Sequence, residues 1–280
     1  MTSSFEFQAE FDFAIEMAKQ AGSMIHEAFY KAKNIEEKLS IADLVTETDK
    51  NVEDYIIKSI NENFPSHQFV GEETVSASNG AKITLSNEPT WVVDPVDGTT
   101  NFVHQFPHTC VCIGFMHHKK TQFGVVFNPI TDELFAARLN FGATLNDQVL
   151  KINQSSPQTL LGSLVITEFG SSTDQAKMDF VFDNMVRIKN KGTHGIRSMG
   201  SCALNICFVA SGRADAFYEI GMHIWDICAA GIVLREAGGV TTGINGEELD
   251  LLGRKIIAAS NHSLGQEIAK TTTDFVVESD

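Results

Sequence analysis

Positive charge is scarce in this chain. Lysine and arginine number 21 against 36 aspartates and glutamates, a formal net charge of −15 over 280 residues. A surface of that sign has no general attraction for nucleic acid, and an anionic substrate would need local help from metal ions or helix ends. Long apolar runs are missing as well. No stretch approaches membrane length, no basic–apolar–small pattern opens the chain, and Val276-Val277-Glu278-Ser279-Asp280 carries no lipidation signal. Cysteine is sparse and odd in number: Cys110, Cys112, Cys202, Cys207 and Cys228 all sit in apolar surroundings. They read as buried reduced thiols, and the expected compartment is the cytoplasm. The nine histidines form no metal-ligand spacing. His117-His118 before Lys119-Lys120 reads as a solvated turn, and His194 and His223 as structural. A Walker A loop, a Gly-x-Gly-x-x-Gly fingerprint and a Gly-x-Ser-x-Gly elbow are all absent, which removes the usual nucleotide-binding and serine-hydrolase readings.

What is present is enough apolar residue, 43%, to build a large core. Phe11, Ala14, Ile15, Ala18, Gly22, Ile25, Ala28 and Phe29 recur at helical spacing. The polar stretch from Lys31 to Thr48 is expected to be mobile or weakly paired, and a second helix is expected from about Asp49 to Asn63. Strand signals follow at Gln68 to Gly71, Thr90 to Val93, Cys110 to Phe115, Phe123 to Phe127 and Glu133 to Ala137, with Asn146-Asp147 as a hairpin turn. Cys110 and Cys112, two apart on a strand, should share a face. The second half alternates: a strand at Ser163 to Thr167, a helix at Asp174 to Ile188 with Met178, Val181, Phe182 and Met185 inward, and a fully buried helix at Ala203 to Ala210. A strand at Ala214 to Tyr218, a helix at Ile224 to Ala237 closed by Gly238-Gly239, and a strand at Ile256 to Ala259 before a last helix complete it. Strand runs followed by alternating elements predict a mixed α/β fold, two packed sheets between helices, with no clean domain cut across residues 1–280.

The chemistry concentrates in Trp91-Val92-Val93-Asp94-Pro95-Val96-Asp97-Gly98-Thr99-Thr100-Asn101-Phe102. An apolar run ends in two carboxylates three apart, then a glycine and two hydroxyl residues, with Glu72-Glu73 about twenty positions upstream. Acids at strand ends can converge on a hard divalent ion such as Mg²⁺, with the Val96 carbonyl in the tight turn between them. Backbone N–H groups after the glycine would face an anion. An EF-hand needs acids at alternate positions, and a haloacid-dehalogenase-type aspartyl nucleophile needs two aspartates two apart; the spacing here meets neither. Asp226 and Asp49 each stand at a helix start, and taken alone each reads first as a helix cap. A threonine hydroxyl such as Thr99 can orient water only if a carboxylate accepts its proton, and nothing in the linear sequence brings Asp49 to it.

Taken together these stretches resemble the inositol monophosphatases, the lithium-sensitive metal-dependent phosphatase superfamily. The segment from Trp91 to Phe102 is similar to the family's first signature. Trp225-Asp226-Ile227-Cys228-Ala229-Ala230-Gly231-Ile232-Val233-Leu234-Arg235-Glu236-Ala237-Gly238-Gly239 is similar to the second. Asp43-Leu44-Val45-Thr46-Glu47-Thr48-Asp49 and Gly71-Glu72-Glu73 fit the positions between. His104 to Pro107, Val165 to Ser172 and His194-Gly195-Ile196-Arg197-Ser198 resemble the animal-type branch. The resemblance runs from about residue 6 to about residue 270. It implies a five-layer αβαβα sandwich, the first half (about 1–150) carrying the main metal motif and the second (about 151–280) completing the metal and substrate site. It implies that Glu72, Asp94, the Val96 carbonyl, Asp97 and Asp226 bind Mg²⁺. Thr99 with Asp49, and Glu73, would activate water, and the Gly98 and Thr99 N–H groups would hold phosphate. Asp97, Ser201, Cys202, Glu219 and Asp226 would line the inositol pocket, and Lys38 would belong to a mobile loop above it. A homodimer and inhibition by lithium are implied too. Ser201 stands where threonine is common, Cys202 where alanine is, and Ile224 where cysteine is; none removes a metal ligand. The expectation is Mg²⁺-dependent hydrolysis of a myo-inositol monophosphate. The rivals are a related phosphatase acting on fructose bisphosphate or a 3′-phosphonucleotide, for which Arg197 and Arg213 are the basic candidates, and a silent metal-binding scaffold.

Overall fold

The computed structural model describes residues 5–33, 35–37, 44–78, 82–153 and 155–280. The first helix, α1 (Gln8–Phe29), buries Phe11, Ala14, Ala18, Ala21, Ile25 and Phe29 on the stripe that the sequence spacing marks. Two three-residue strands follow, β1 (Ile35–Glu37) and β2 (Leu44–Thr46), paired antiparallel. The polar stretch is therefore more ordered at these residues than its composition suggests; three residues are too few for alternation to show. Lys38 and Asp43 lie outside the described residues. Helix α2 (Glu47–Asn63) begins two residues earlier than expected because Thr46 is its N-cap, in a reciprocal capping box with Asp49.

The next elements are β3 (Gln68–Gly71), α3 (Glu72–Ala77), β4 (Thr90–Asp97), α4 (Thr99–Val103), β5 (Cys110–His117), β6 (Lys120–Asn128), β7 (Glu133–Arg138), β8 (Gly142–Leu145) and β9 (Gln148–Leu150). The strands of this group form a seven-stranded sheet in chain order, β3 to β9, parallel only between β3 and β4. Its hairpins turn through left-handed residues, His118 and Lys119 at φ 50° and 61°, and Asn146 and Asp147 at φ 47° and 62°. Two consecutive positive φ angles give the turn twist that matches twisted strands. The chain continues through β10 (Leu164–Thr167), α5 (Gln175–Asn190), β11 (Gly195–Arg197), α6 (Cys202–Ala210), β12 (Ala216–Ile220), α7 (Ile224–Glu236), β13 (Val240–Thr242), β14 (Lys255–Ala259) and α8 (His262–Thr271). Its strands form a second sheet in the order β11-β10-β12-β14-β13.

The layers stack as α1 and α2, the first sheet, α6 and α7, the second sheet, and α5 with α8. Phe11, Ile25 and Ile56 pack on Trp91, Phe115 and Phe123 at one outer face. The middle core joins Val126 and Phe135 of the first sheet to Ala203, Ile227 and Ala230, and these to Ile166, Phe217 and Ala258 of the second. Val165, Tyr218 and Ile257 meet Ile188, Leu264 and Ile268 at the other outer face. Helix α7 is apolar all round because it lies between two sheets. It comes so close to β6 that a side-chain carbon on Gly124 would overlap the Ala229 backbone.

One inward face differs from expectation. Helix α5 buries Val181, Asn184 and Ile188, while Phe182 is 50% exposed. Asn184 takes the inward position because it exchanges hydrogen bonds with the Thr273 backbone, accepting from its N–H at 2.9 Å and donating to its carbonyl at 3.3 Å. A count of apolar residues alone misplaces such a stripe.

Candidate active site

Two acids three apart on a regular strand would point to opposite faces. Strand β4 avoids this with an irregularity between Asp94, which pairs with Cys112, and Asp97, which pairs with Cys110. Such a bulge re-aims side chains, and the Asp94 carboxylate folds back to accept from the Val96 N–H at 2.9 Å. Asp226, in the first turn of α7, accepts from the His223 N–H at 2.6 Å. Carboxylate oxygens of Asp94, Asp97 and Asp226 lie within 4.8 Å of one another. Glu72 opens α3 nearby, half-buried, and its charge pushes up the carboxyls of Asp49, Asp94, Asp97 and Asp226.

Burial and the charges of neighbouring acids raise all three aspartates. Asp94 sits well above the usual range, from burial first and then Glu72, Asp97 and Asp226. Burial, then Asp226, pushes Asp97 up to about 7, and burial pushes Asp226 up to about 6. Buried acids crowded this closely call for a cation, and an all-oxygen donor set suits a hard divalent ion. Cys110 and Cys112 also stand close to Asp97, the Cys110 thiol 3.7 Å from both Asp97 Oδ2 and the Cys112 sulfur. Burial pushes both thiols up, so they remain protonated neighbours of the carboxylate. All five cysteines are buried and free, as expected, and Cys110 and Cys112 share a face.

The fold brings Asp49 to Thr99 although they are fifty residues apart. Thr99 Oγ1 lies 3.1 Å from Asp49 Oδ1 and 3.0 Å from the Val96 carbonyl. The other oxygen of Asp49 accepts from the Thr46 N–H and hydroxyl at 2.9 and 2.5 Å. Asp49 is thus cap and hydroxyl partner at once, and burial pushes it up to about 6. Gly98, at φ 82°, turns the chain from β4 into α4; a side chain there would meet the carbonyls of His108 and Gly200. The first-turn N–H groups of α4 have no acceptor within the helix.

The second half closes on this cluster through α6. Ser201 caps α6 and donates to Asp97 Oδ2 at 2.5 Å, and the Ala203 N–H donates to the same oxygen at 2.8 Å. Glu219 lies inside β12, not after the strand as the sequence suggested, and its buried Oε2 has no hydrogen-bond partner among the described residues. Burial, then Glu168 and Asp226, raises it well above the ordinary range. Cys202 is buried at the start of α6. The Glu73 N–H donates to Glu53 at 2.9 Å. Of the two basic candidates, Arg213 pairs with Glu133 on the surface and Arg197 is exposed. His223 binds Asp280 through Nδ1 at 2.6 Å and stacks on Trp225, the structural role expected of it.

Three residues the sequence reading left without a role matter here. Glu53 accepts from the N–H groups of Glu73 and Thr74 and the Thr74 hydroxyl, holding the start of α3. Its signal was an acid within the buried stripe Val52, Ile56, Ile60. Glu168 accepts from Ser198, Met199, Gly200 and Asn205, fixing the turn before Ser201. Its signal was an acid directly after an apolar strand, the same pattern as Asp94. Lys177, from α5, reaches the ends of β10 and β12, and no local pattern marks it.

A five-layer sandwich whose two halves meet at buried acids, beside a carboxylate-backed threonine, defines a metal-dependent hydrolase. The family model described as the inositol monophosphatase family matches residues 8–276. The chain is 48% identical over 259 residues to inositol monophosphatase 1 of Sus scrofa, covering 92% of each protein. Among solved structures, it matches the extragenic suppressor protein suhB from Bartonella henselae with a TM-score of 0.83 at 27% identity, over 94% of this chain and 98% of that one. It matches inositol monophosphate-bound SaIMPase-II with a TM-score of 0.78 at 30% identity, over 94% and 92%. The chain belongs to the inositol monophosphatase family.

Proposed function

We infer that this chain is a phosphoric monoester hydrolase that converts inositol monophosphate to inositol and phosphate, with Mg²⁺ as its metal. The observation that carries the reading is the convergence of Asp94, Asp97 and Asp226 beside the Thr99–Asp49 pair in a chain of this family. Asp94, Asp97, Asp226, Glu72 and the Val96 carbonyl would hold the metal. When bound, it supplies charge neutralisation for the phosphate and the leaving oxygen and lowers the pKa of water.

The remaining work falls to the protein. The Thr99 hydroxyl donates to Asp49, which leaves its oxygen free to accept from the attacking water; Glu73 would share that proton. The Gly98 and Thr99 N–H groups at the α4 start orient phosphate. Asp97 keeps its position because Ser201 and Ala203 hold one of its oxygens. Ser201, Cys202 and Glu219, with Asp97 and Asp226, form the sugar side, where the unpartnered Glu219 oxygen is suited to accept from a ring hydroxyl. Five buried free thiols agree with a reducing, cytoplasmic setting, and no described helix is long and apolar enough to cross a membrane. Kinship supports a homodimer. Phosphate release from inositol 1-phosphate with and without Mg²⁺ tests the reading: metal-dependent release is expected, and its absence over a range of Mg²⁺ concentrations overturns it.

A further inference from the structure

Beyond Glu219, a further charged group, Lys177, stands at the sugar side of the site. Lys177 is the third residue of α5, in the turn where a helix disfavours positive charge. Its side chain is half-buried, and among the described residues it has no hydrogen bond and no ion pair within 4.0 Å. Its ammonium nitrogen fills space that two missing side chains leave. It lies 2.6 Å from where a β-carbon on Gly221 would be and 3.1 Å from the same point on Gly170, both glycines having positive φ.

Those glycines locate the ammonium. Gly221 directly follows the last residue of β12, two positions past Glu219, and the Lys177 charge acts on Glu219. Gly170 is two residues past Glu168, and β10 runs parallel to β12 with Thr167 opposite Tyr218. Lys177 therefore spans the ends of two neighbouring parallel strands, above the pair of acids that follow Thr167 and Tyr218. Ligands of open α/β sheets gather at such strand ends. Glu168 is already satisfied by four donors, whereas Glu219 keeps a buried oxygen without a partner.

We propose that Lys177 and Glu219 act as a pair that recognises two adjacent hydroxyls of the substrate ring, Glu219 accepting from one and the Lys177 ammonium donating to its neighbour. The proposal rests on the function inferred above and extends it to a residue that sets specificity. A neutral diol suits this corner better than a second anion. Of the charged groups acting most on Glu219 (Glu168, Asp226, Lys177 and Asp97) only Lys177 is positive, and the nearby Arg254 is already engaged with the Gly221 and Met222 carbonyls and with Asp280, so a second phosphate would meet net negative charge. A diol offers one donor and one acceptor, which the pair answers in kind.

The test compares wild type, Lys177→Met, Glu219→Gln and the double variant on inositol 1-phosphate, inositol 1,4-bisphosphate and 2-glycerophosphate. The last has no adjacent hydroxyls, and urea unfolding of each variant reports separately that it is folded. Lys177→Met is expected to lower kcat/KM on inositol 1-phosphate on the order of tenfold or more, mainly through KM, as for a lost hydrogen bond from a charged group. Turnover of 2-glycerophosphate should change less than about twofold, and the double variant should lose less than the product of the two single losses. Equal loss on inositol 1-phosphate and 2-glycerophosphate, or multiplicative losses, overturns the pair. Loss confined to the bisphosphate shows an anion subsite and also overturns it. A wild-type protein that hydrolyses 2-glycerophosphate but not inositol 1-phosphate refutes the inferred function itself, an outcome distinct from an active wild type with an unaffected Lys177→Met.

Discussion

Asp94 is buried among Glu72, Asp97 and Asp226, each of which makes its charge harder to hold. Replacing it by asparagine keeps the shape, removes one repulsive charge and removes a metal ligand. Asp94→Asn is expected to lower Mg²⁺-dependent phosphate release on the order of 100-fold or more, while the metal-free protein melts at the same temperature or higher. Near-normal activity in a phosphate assay would remove Asp94 from the metal site. Thr99 answers a different question. If its hydroxyl relays a proton to Asp49, Thr99→Ala should cost roughly 100-fold in kcat, and Thr99→Ser should recover most of it because the oxygen returns. A serine variant as inactive as alanine would mean that the methyl packing, and not the hydroxyl, matters.

At the scale of elements, helix α7 carries Asp226 and packs on β6 with no room to spare. Gly124→Ala places a carbon against the Ala229 backbone, which cannot yield as a flexible side chain would. The helix must shift, and its first turn moves Asp226 with it. The variant is expected to be destabilised by about 1–3 kcal/mol in urea unfolding, and to need more Mg²⁺ for half-maximal rate. Unchanged unfolding would show that the helix is more loosely seated than this contact indicates. Most elements were legible from sequence: the stripe of α1, the hairpin turn at Asn146-Asp147, and the apolar α6 and α7. The strands β11 and β13 were not, since each has three residues and owes its pairing to neighbours. The register of α5 was misread because Asn184 is held inside by Thr273, a contact between residues 89 apart.

At the scale of the whole molecule, folding concentrates negative charge that the unfolded chain disperses. Asp49, Asp97 and Asp226 titrate in the folded protein near 6, 7 and 6, above the ordinary aspartate value of about 3.9. A carboxyl raised on folding favours the protonated folded state. Its contribution is full below about pH 4 and is lost as pH rises through about 6 to 7. Metal-free protein in EDTA should therefore lose stability across that window, and Mg²⁺ should restore it. The rise in melting temperature with Mg²⁺ is expected to be larger at pH 8 than at pH 5.5. A rise independent of pH would separate metal binding from these acids. Lithium, monovalent and oxygen-preferring, can enter the same acidic pocket but neutralises less charge. Inhibition that persists at saturating inositol 1-phosphate is expected in initial-rate assays, with KCl holding ionic strength. Inhibition relieved by substrate, or equal to that of KCl, would contradict it.

The sequence alone determined which residue types could do chemistry: the acids ending an apolar run at Asp94 and Asp97, the glycine that turns the chain toward Thr99, and the absence of any rival motif. It determined the core as well, because helical and strand periodicities are local properties of the chain. Convergence was decided only in three dimensions. Whether Asp49 and Asp226 are mere helix caps depends on what lies across from them, and the fold sets Thr99 beside one and Asp94 beside the other. Glu168 and Lys177 obtain their positions in the same way, from the parallel pairing of β10 with β12 and the docking of α5 at their ends. Such contacts join residues far apart in the chain, so no local pattern can encode them; the packing of the layers does.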